Sequence, residues 1–362
     1  MLEASLNRDA YVSNDVWAKE QHKVFASNWV CVARQLEIAE VSGSYRLVDL
    51  QGEQVLVVRG ADTKLRAFVN MCRHRGTELV DSTDLNAAQG CFGALIKCPY
   101  HSWTYNVDGS LRGAPYLDDL DFSNHSLLQL ELDIWGGYVF VRQIPNKKSL
   151  KDSLGEIAGR VKNYPLSELV SAKTFTYQVG ANWKVLAENY NECYHCGPVH
   201  PELCDLVPSF RQGGGSDLDW IDGVPHREGA YTFTSSGTTT RKPFAGLSAA
   251  ELVNHKGELV YPNLWLSLAC DHVASFVLWP NGPAHTTIVF DLLFHPDQIA
   301  QLDFDPSDAF DFWHVVNLQD WNICERVQRG MTSKFFTQGL FAKMENPSLD
   351  IREWWRTEMG EK

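Results

Sequence analysis

Residues 188–200, with the sequence ENYNECYHCGPVH, contain many side chains that can bind a metal ion. Two carboxylates, Glu188 and Glu192, stand beside two histidines, His195 and His200, and a Gly-Pro pair separates the histidines. Glu188, Glu192 and His195 are spaced i, i+4, i+7, which predicts one face of a helix. The Gly-Pro pair would end that helix, so that His200 turns back toward His195. The stretch predicts a metal site.

The carboxylate that completes this site is expected on the last long helix, predicted over about 306–330. Five residues recur there at spacings of three or four: Trp313, Val316, Asp320, Cys324 and Val327. One aspartate thus interrupts an apolar stripe, and a buried carboxylate is costly unless it meets a cation or hydrogen-bond donors. We therefore predict Asp320 as the third ligand, the alternative being an ion pair with Arg326 or Arg329. Two imidazoles and one carboxylate bind Fe(II) and leave adjacent positions open for O2 and a substrate.

A second set of metal-competent residues lies earlier in the chain, as Cys72 and His74 in one segment and Cys98 and His101 in another. Two thiolates with two imidazoles suit either zinc or an iron–sulfur cluster. A zinc finger usually keeps like ligands together, whereas each segment here supplies one cysteine and one histidine. This arrangement matches a Rieske [2Fe–2S] centre, in which two cysteines bind one iron and two histidines bind the other.

The segments CRHRGTEL (72–79) and CPYHSWTYNVDGSL (98–111) resemble the Rieske motif of aromatic-ring-hydroxylating and related non-haem iron oxygenases. The likeness includes the Arg-Gly after the first pair of ligands and the Trp, Tyr and Asp-Gly after the second. The interval between the pairs is longer than in the family, which predicts an insertion at about 81–93, away from the ligands. The segment DWNICERVQRG (320–330) resembles the family helix that carries the aspartate ligand.

This resemblance implies the fold, the cofactors and the partners. The implied fold class is α+β, with an all-β Rieske [2Fe–2S] domain and a catalytic domain of the helix-grip (START-like) type, whose antiparallel sheet wraps a long helix. Each subunit would carry one mononuclear Fe(II) and one Rieske cluster, and a separate flavin/ferredoxin-type reductase would supply electrons from NAD(P)H. Electron transfer between subunits implies a ring, expected to be a homotrimer. The ligands of the cluster would be Cys72, His74, Cys98 and His101.

In this family an acidic residue, usually aspartate, stands three positions before the first iron-binding histidine, and here that position is Glu192. The resemblance implies that Glu192 connects a Rieske histidine of one subunit to the iron site of its neighbour, because a carboxylate can accept the free N–H groups of two metal-bound imidazoles. The alternative is a solvated helix carboxylate. We expect Glu188 to be a supporting carboxylate, the alternative being a metal ligand. Cys193 and Cys196 form a CxxC, which alone would suggest redox chemistry or zinc, but beside this histidine pair we expect them to be packing residues.

The segments ENYNECYHCGPVHP (188–201) and VQRG (327–330) are similar to oxygenases of quaternary ammonium compounds, such as those of carnitine, glycine betaine, choline and stachydrine. The implied reaction is monooxygenation of a C–H bond beside nitrogen, followed by N-demethylation or C–N cleavage. One alternative is mono- or dihydroxylation of an aromatic ring by the same ligands. Another is a Rieske electron carrier or zinc scaffold, which the open iron site argues against.

A quaternary ammonium group donates no hydrogen bond and is recognised by the faces of aromatic rings. The chain contains 12 Trp, 12 Tyr and 18 Phe residues, so their number alone does not identify the substrate site. The rings expected nearest the catalytic sheet are Tyr190, Tyr194, Tyr261, Trp265, Phe276 and Trp279.

With 362 residues, two domains are expected. Short strands separated by turns predict the all-β domain at 40–145, whereas 146–362 would form the catalytic domain and 1–39 a helical segment packed on it. In that segment, 14–35 is predicted to be a helix that runs into a strand. The Gly-, Ser- and Thr-rich residues 208–242 are expected to be loops that could form a lid.

The formal net charge of −13 argues against nucleic-acid and anionic-membrane binding, because phosphate contacts need a basic face. Residues 1–30 resemble no signal peptide, and the apolar runs are far shorter than the roughly 20 residues of a membrane span. We therefore expect a cytoplasmic protein, whose nine cysteines are thiols or metal ligands rather than disulfides.

Overall fold

The computed structural model describes residues 2–216 and 218–361. Its strands, in chain order, are β1 Glu3–Asn7, β2 Val30–Arg34, β3 Ser44–Leu50, β4 Glu53–Arg59, β5 Leu65–Val69, β6 Gln89–Cys91, β7 Leu95–Lys97, β8 Thr104–Asn106, β9 Leu111–Gly113, β10 Gln129–Trp135, β11 Tyr138–Arg142, β12 Val170–Val179, β13 Val224–Pro225, β14 Asn254–Val260, β15 Leu264–Leu268, β16 Val273–Gly282, β17 His285–Phe294 and β18 Gln338–Phe341. Its α-helices are α1 Arg8–Val12, α2 Asn14–Glu20, α3 Leu150–Leu154, α4 Ile157–Arg160, α5 Trp183–Tyr190, α6 Cys196–Val199, α7 Pro201–Leu206, α8 Pro296–Ile299, α9 Ser307–Met331 and α10 Leu349–Met359.

The chain divides into two compact units. One is the stretch Phe25–Ser153, and the other combines the chain up to Val24 with the chain from Leu154 onward. The first unit starts before the boundary that we predicted at residue 40, because β2 pairs with β11 inside it. The N-terminal segment is therefore divided between the two units.

The unit Phe25–Ser153 is built from two antiparallel sheets. The larger has the strand order β2-β11-β10-β5-β4-β3-β6, and the smaller has the order β7-β8-β9. Apolar residues from both sheets share one core, among them Leu56 and Phe68 from the larger sheet and Ile96 and Tyr105 from the smaller. These strands present one apolar face to the core, which is why short strands suffice for a stable unit.

The predicted helix that runs into a strand over 14–35 is confirmed. The structure has α1 and α2 followed by a π-helical turn, Gln21–Ala26, before β2 begins at Val30. The side chain of Ser13 accepts a hydrogen bond from the backbone N–H of Val16 and so caps α2.

The second unit contains an antiparallel sheet with the strand order β12-β17-β16-β15-β14-β13, and the long helix α9. Ring contacts join the helix to the sheet: Tyr177 meets Trp321 at 5.9 Å and Phe290 meets Phe310 at 6.1 Å between centroids. The helix predicted over about 306–330 is confirmed by α9, Ser307–Met331. The α+β class is confirmed as well, with one all-β unit and one unit in which helices accompany an antiparallel sheet.

The helix predicted to carry Glu188, Glu192 and His195 on one face is wrong beyond Tyr190, where α5 ends. The reason is local. The carboxylate of Glu192 accepts hydrogen bonds from the backbone N–H groups of Tyr194 and His195, the latter at 3.2 Å. Such side-chain bonds to the backbone compete with helical ones, so the chain forms a turn here.

None of the helices in the described parts of the chain, 2–216 and 218–361, has the length and apolar character needed to cross a membrane.

Candidate metal centres

His195, His200 and Asp320 come together although 120 residues separate His200 from Asp320. Asp320, on α9, places its Oδ1 atom 2.9 Å from Nε2 of His200 and 3.3 Å from Nε2 of His195. Within residues 2–216 and 218–361, these are the only three His, Cys, Asp or Glu side chains whose ligand atoms lie within 4.8 Å of one another. The geometry is that of two imidazoles and a carboxylate around one point.

Other side chains form hydrogen bonds with Nδ1 of both imidazoles. Nδ1 of His195 lies 2.5 Å from Oε1 of Glu192. Nδ1 of His200 lies 2.8 Å from Oε1 of Gln319, whose amide nitrogen donates to Glu202 at 2.9 Å. Each Nδ1 therefore carries a proton for these acceptors, and each Nε2 is left free to bind a metal.

The charges of the three groups depend on one another. Burial by itself raises the pKa of Asp320, but the neighbouring His200 and His195 lower it well below the usual range. Burial by itself lowers the pKa of His195, but hydrogen bonds with Asp320, Cys196 and Glu192 outweigh it, and the pKa is raised well above the ordinary value. The carboxylate is thus ionised and attracts positive charge, which a divalent cation can supply in place of protons. The donor set fits Fe(II).

The predicted alternative for Asp320, an ion pair with Arg326 or Arg329, does not form. Arg329 instead lies 3.7 Å from Glu325, one turn away on the exposed side of α9.

In the all-β unit, Cys72 and His74 follow β5, and Cys98 and His101 lie between β7 and β8. Both thiols are buried in the core of the unit, whereas both imidazoles are exposed. The rings of the two histidines lie 4.8 Å apart, and His74 stacks on Trp103 at 4.9 Å. The site therefore has a buried sulfur side and an exposed nitrogen side.

This geometry distinguishes between the two kinds of centre that the residue types allow, a zinc site and an iron–sulfur cluster. A single tetrahedral zinc would bring four ligand atoms within roughly 4 Å of one another. Here the two thiols lie on the buried side of the site and the two imidazoles on its exposed side. Two pairs of ligands on two sides of one site fit two iron atoms joined by sulfide, one bound by cysteines and the other by histidines.

The phenol of Tyr105 completes the sulfur side. Its hydroxyl lies 3.2 Å from Sγ of Cys72, and it accepts a hydrogen bond from the backbone N–H of Arg73 at 3.0 Å. Burial raises the pKa of Tyr105, so the hydroxyl stays protonated and can donate to a thiolate.

A cavity of about 360 Å³ adjoins the three residues of the mononuclear site. This volume is in the range of small-molecule sites. Its lining includes His195, His200, Asp320 and Glu192. The aromatic rings in its wall are Tyr190, Phe210, Trp220, Phe233 and Trp313.

The charge of the cavity wall is mainly negative. Its carboxylates are Glu192, Glu258, Asp320 and Asp350. Among the described residues the wall has one arginine or lysine, Arg160, and Glu258 accepts two hydrogen bonds from its guanidinium at 2.6 Å each. Arg160 thus balances the charge of Glu258, and Asp320 faces the other metal-site residues, so Glu192 and Asp350 are the carboxylates through which the wall favours a cation.

Of the six rings expected near the substrate, Tyr190 lines the cavity, whereas Tyr194, Tyr261, Trp265, Phe276 and Trp279 do not. Tyr194 is half exposed, at 51%. Trp265 is fully buried, with its ring 5.0 Å from that of Tyr190. Tyr261 packs on Trp354 and its hydroxyl donates to Asp350 at 3.0 Å. Strand membership alone did not show which rings face the cavity and which pack behind it.

The rings that the sequence prediction missed come mostly from the irregular segment. Phe210, Trp220 and Phe233 lie within 208–242, and all three line the cavity. This segment has no periodicity from which a buried face could be inferred. Within the predicted lid, Asp217 lies outside the described residues.

Gly215 brings this segment against the metal-binding stretch. It has φ +71°, and a Cβ atom there would lie 2.6 Å from Cβ of Cys193. Cys193 and Cys196 are buried, with their Sγ atoms 2.6 Å apart. Glu188 lies on α5, where its carboxylate accepts a hydrogen bond from Tyr11 at 2.7 Å, apart from the metal ligands.

Comparison with protein families gives two matches. The ring hydroxylating alpha subunit (catalytic domain) family matches residues 166–361, and the Rieske [2Fe–2S] domain family matches residues 28–129.

Among curated relatives, the carnitine monooxygenase oxygenase subunit of Escherichia coli K12 is 36% identical over 333 residues, which cover 90% of this chain and 83% of the relative. The subunit of the same name from Acinetobacter pittii is 30% identical, covering 90% of this chain and 84% of the relative. The glycine betaine monooxygenase oxygenase subunit of Pseudomonas aeruginosa is 26% identical, covering 98% and 89%.

Among solved structures, the quaternary ammonium Rieske monooxygenase CntA in complex with L-carnitine is similar, with a TM-score of 0.77 and 26% identity. The match covers 99% of this chain and 96% of CntA. A complex of CntA with gamma-butyrobetaine matches with a TM-score of 0.76 and 27% identity, over the same shares of both chains.

Proposed function

This chain belongs to the ring hydroxylating alpha subunit family, with its Rieske domain, and from this membership we propose that it is the oxygenase component of a two-component quaternary ammonium monooxygenase. Membership confirms the resemblance drawn from the cysteine and histidine motifs. It also implies one Rieske cluster and one mononuclear iron in each chain, with NAD(P)H as the electron source through a reductase.

The proposed substrate is a carnitine- or betaine-like compound. The relatives named carnitine and glycine betaine monooxygenase oxygenase subunits support this substrate class. The observation that carries the proposal is the cavity, because aromatic rings and a surplus of carboxylates surround a site beside His195, His200 and Asp320. Such a wall suits a permanently charged ammonium group better than an uncharged aromatic ring.

We assign the cluster to Cys72, His74, Cys98 and His101, and the mononuclear iron to His195, His200 and Asp320. When bound, the two metal centres would activate O2 with electrons that the reductase supplies. The residues around them keep the donor atoms in place: Glu192 and Gln319 hold the imidazoles so that each Nε2 faces Asp320. A substrate bound in the cavity would hold a C–H bond beside nitrogen close to His195, His200 and Asp320.

The hydroxylated carbon beside the nitrogen is unstable, and it leaves as an aldehyde when the C–N bond breaks. For a methyl group the products are formaldehyde and the demethylated amine. One atom of O2 enters the substrate and the other leaves as water, with two electrons from NAD(P)H.

Glu192 is proposed to connect two subunits. Its Oε1 atom accepts from His195, and the same carboxylate could accept from a cluster-binding histidine of a neighbouring subunit. Inter-subunit electron transfer is described for a quaternary ammonium Rieske monooxygenase of similar structure. Because such transfer needs neighbouring subunits, we propose a homotrimer. We also propose a cytoplasmic location.

The test is a panel of methylated amines and aromatic acids, scored by substrate-dependent O2 consumption with a surrogate reductase. We expect carnitine-like compounds to stimulate O2 uptake and to yield aldehyde or amine products. Turnover of an aromatic acid, with no stimulation by any quaternary amine, would overturn the proposed substrate class while leaving the oxygenase assignment intact.

A further inference from the structure

The cavity wall contains one aromatic ring whose orientation is fixed by a buried chain of hydrogen bonds. Trp313, on α9, lies 7 residues before Asp320 and therefore on the same helix face. Its indole N–H donates to Nε2 of His272 at 3.0 Å. Nδ1 of His272 lies 3.0 Å from Oδ1 of Asp271. His272 and Asp271 are both fully buried, and neither lines the cavity.

The indole N–H of Trp313, at one end of this series of hydrogen bonds, determines which ring nitrogen of His272 carries the proton. An indole nitrogen can only donate, so Nε2 of His272 must be the acceptor and must lack a proton. The proton of the neutral ring then lies on Nδ1, where it is donated to the carboxylate of Asp271. Each polar group of the chain is thereby satisfied, and reversing either bond would leave a buried group unpaired.

Asp271 is itself held rigidly. Its carboxylate accepts from the hydroxyl of Thr232 and from Nε of Arg241, the latter at 2.8 Å. The guanidinium of Arg241 also binds Asp308, in the first turn of α9, at 2.7 Å. These hydrogen bonds therefore connect the turn between β15 and β16, which contains Asp271, to the helix that carries Trp313 and Asp320.

Four rings pack around Trp313: Phe233, His255, Phe276 and Phe312. Phe233 meets it edge to face at 5.2 Å, and Phe276 packs behind it at 6.1 Å. Phe233 lines the cavity as well, and Phe276 does not. The hydrogen bond to His272 and these ring contacts restrict the rotation of the indole ring about its side-chain bonds.

We propose that Asp271 and His272 are positioning residues that fix Trp313 as the wall which recognises the ammonium group of the substrate. Cation–π attraction depends on the cation lying over the ring face, so a ring free to tilt would lose it while still providing apolar contact. The inference rests on the proposed function, because it assumes a quaternary ammonium substrate.

The test compares two ligands that differ in charge alone: gamma-butyrobetaine, and 5,5-dimethylhexanoate, in which a carbon atom replaces the nitrogen. Dissociation constants are measured by calorimetry on the anaerobic metal-loaded protein, so no turnover is needed. We expect the wild type to prefer the ammonium compound by about tenfold. In His272→Phe this preference should fall to about twofold, because the contribution of the ammonium group to affinity is lost, whereas affinity for the carbon analogue is kept.

His272→Gln is the matched variant, because its amide oxygen can still accept the indole proton, and it should keep most of the preference. Trp313→Phe, which keeps a ring but has no N–H, provides a second measurement if His272→Phe does not fold. Unchanged preference in His272→Phe and Trp313→Phe, or an equal loss of affinity for both ligands, would overturn the inference. A wild type without any preference for the ammonium compound would instead overturn the proposed function, and the inference with it.

Discussion

Nδ1 of His195 lies 2.5 Å from Oε1 of Glu192. The other carboxylate oxygen of Glu192 accepts from the backbone N–H groups of Tyr194 and His195. The same carboxylate therefore fixes both the turn that follows α5 and the direction of the imidazole. This double role explains why the chain leaves the helix before the first histidine, and it makes the effect of removing the carboxylate predictable.

Glu192→Ala should reduce turnover by about 100-fold while the protein keeps its iron. The imidazole of His195 loses its acceptor, and the proposed path for electrons between subunits loses its carboxylate. Steady-state O2 uptake, total iron and the visible absorption of the cluster are measured together. Glu202→Ala is the matched control, since Glu202 binds Gln319 and not a histidine, and it should have a smaller effect. Full activity of Glu192→Ala would contradict the bridging role.

Asp320→Ala should remove the mononuclear iron and abolish product formation, because the two remaining imidazoles provide too few ligands. The cluster in the other unit should be unaffected. The measurement is iron analysis together with the absorption and electron paramagnetic resonance of the cluster. Cys98→Ala is the reciprocal variant, which should lose the cluster and keep the mononuclear iron. Loss of the cluster in Asp320→Ala would show that the two sites do not fold separately.

Tyr105→Phe should lower the reduction potential of the cluster by about 20–60 mV, the equivalent of one hydrogen bond of about 0.5–1.5 kcal/mol. The hydroxyl lies 3.2 Å from Sγ of Cys72, and donating to that sulfur stabilises the reduced, more negative state. Redox titration of the cluster absorption measures the shift. Tyr100→Phe is the control, because Tyr100 packs on His101 without a bond to sulfur. An unchanged potential in Tyr105→Phe would mean that the hydroxyl does not donate to the cluster side.

Glu188→Gln should stabilise the protein at pH 8 and leave it nearly unchanged at pH 5. Burial raises the pKa of Glu188 to about 7, although Tyr11, Arg352 and Lys184 oppose the increase. Since the folded pKa is above the unfolded one, the folded state binds the extra proton between these values, and stability falls as the pH rises through that window. Above pH 7 the ionised carboxylate costs about 1–3 kcal/mol, which glutamine avoids.

Thermal unfolding at both pH values measures this difference. Glutamine can still accept the hydrogen bond from Tyr11, so that contact is kept. Glu53→Gln, an exposed position in the other unit, is the control and should shift the midpoint at neither pH. An equal shift for Glu188→Gln at pH 5 and pH 8 would contradict the raised pKa.

The residues that we propose as metal ligands could be singled out in the sequence because their chemistry is visible there. The two Cys/His pairs are typical of a Rieske centre. One aspartate interrupts the apolar stripe of α9, where packing alone would favour an apolar residue. The cavity wall was not predictable in the same way. Phe210, Trp220 and Phe233 come from a segment without periodicity, and Trp265 and Tyr190 are neighbours of which one lines the cavity. Helical spacing also failed after Tyr190, because it takes no account of a side chain that binds its own backbone.

The most direct test of the account is the ratio of product to O2 with a quaternary ammonium substrate, in the reconstituted system of oxygenase, surrogate reductase and NADH. We predict that gamma-butyrobetaine or carnitine gives one aldehyde or one released amine for each O2 consumed, and that His195→Ala gives none. O2 consumption without any C–N cleavage product from every quaternary amine tested, alongside hydroxylation of an aromatic acid, would contradict it.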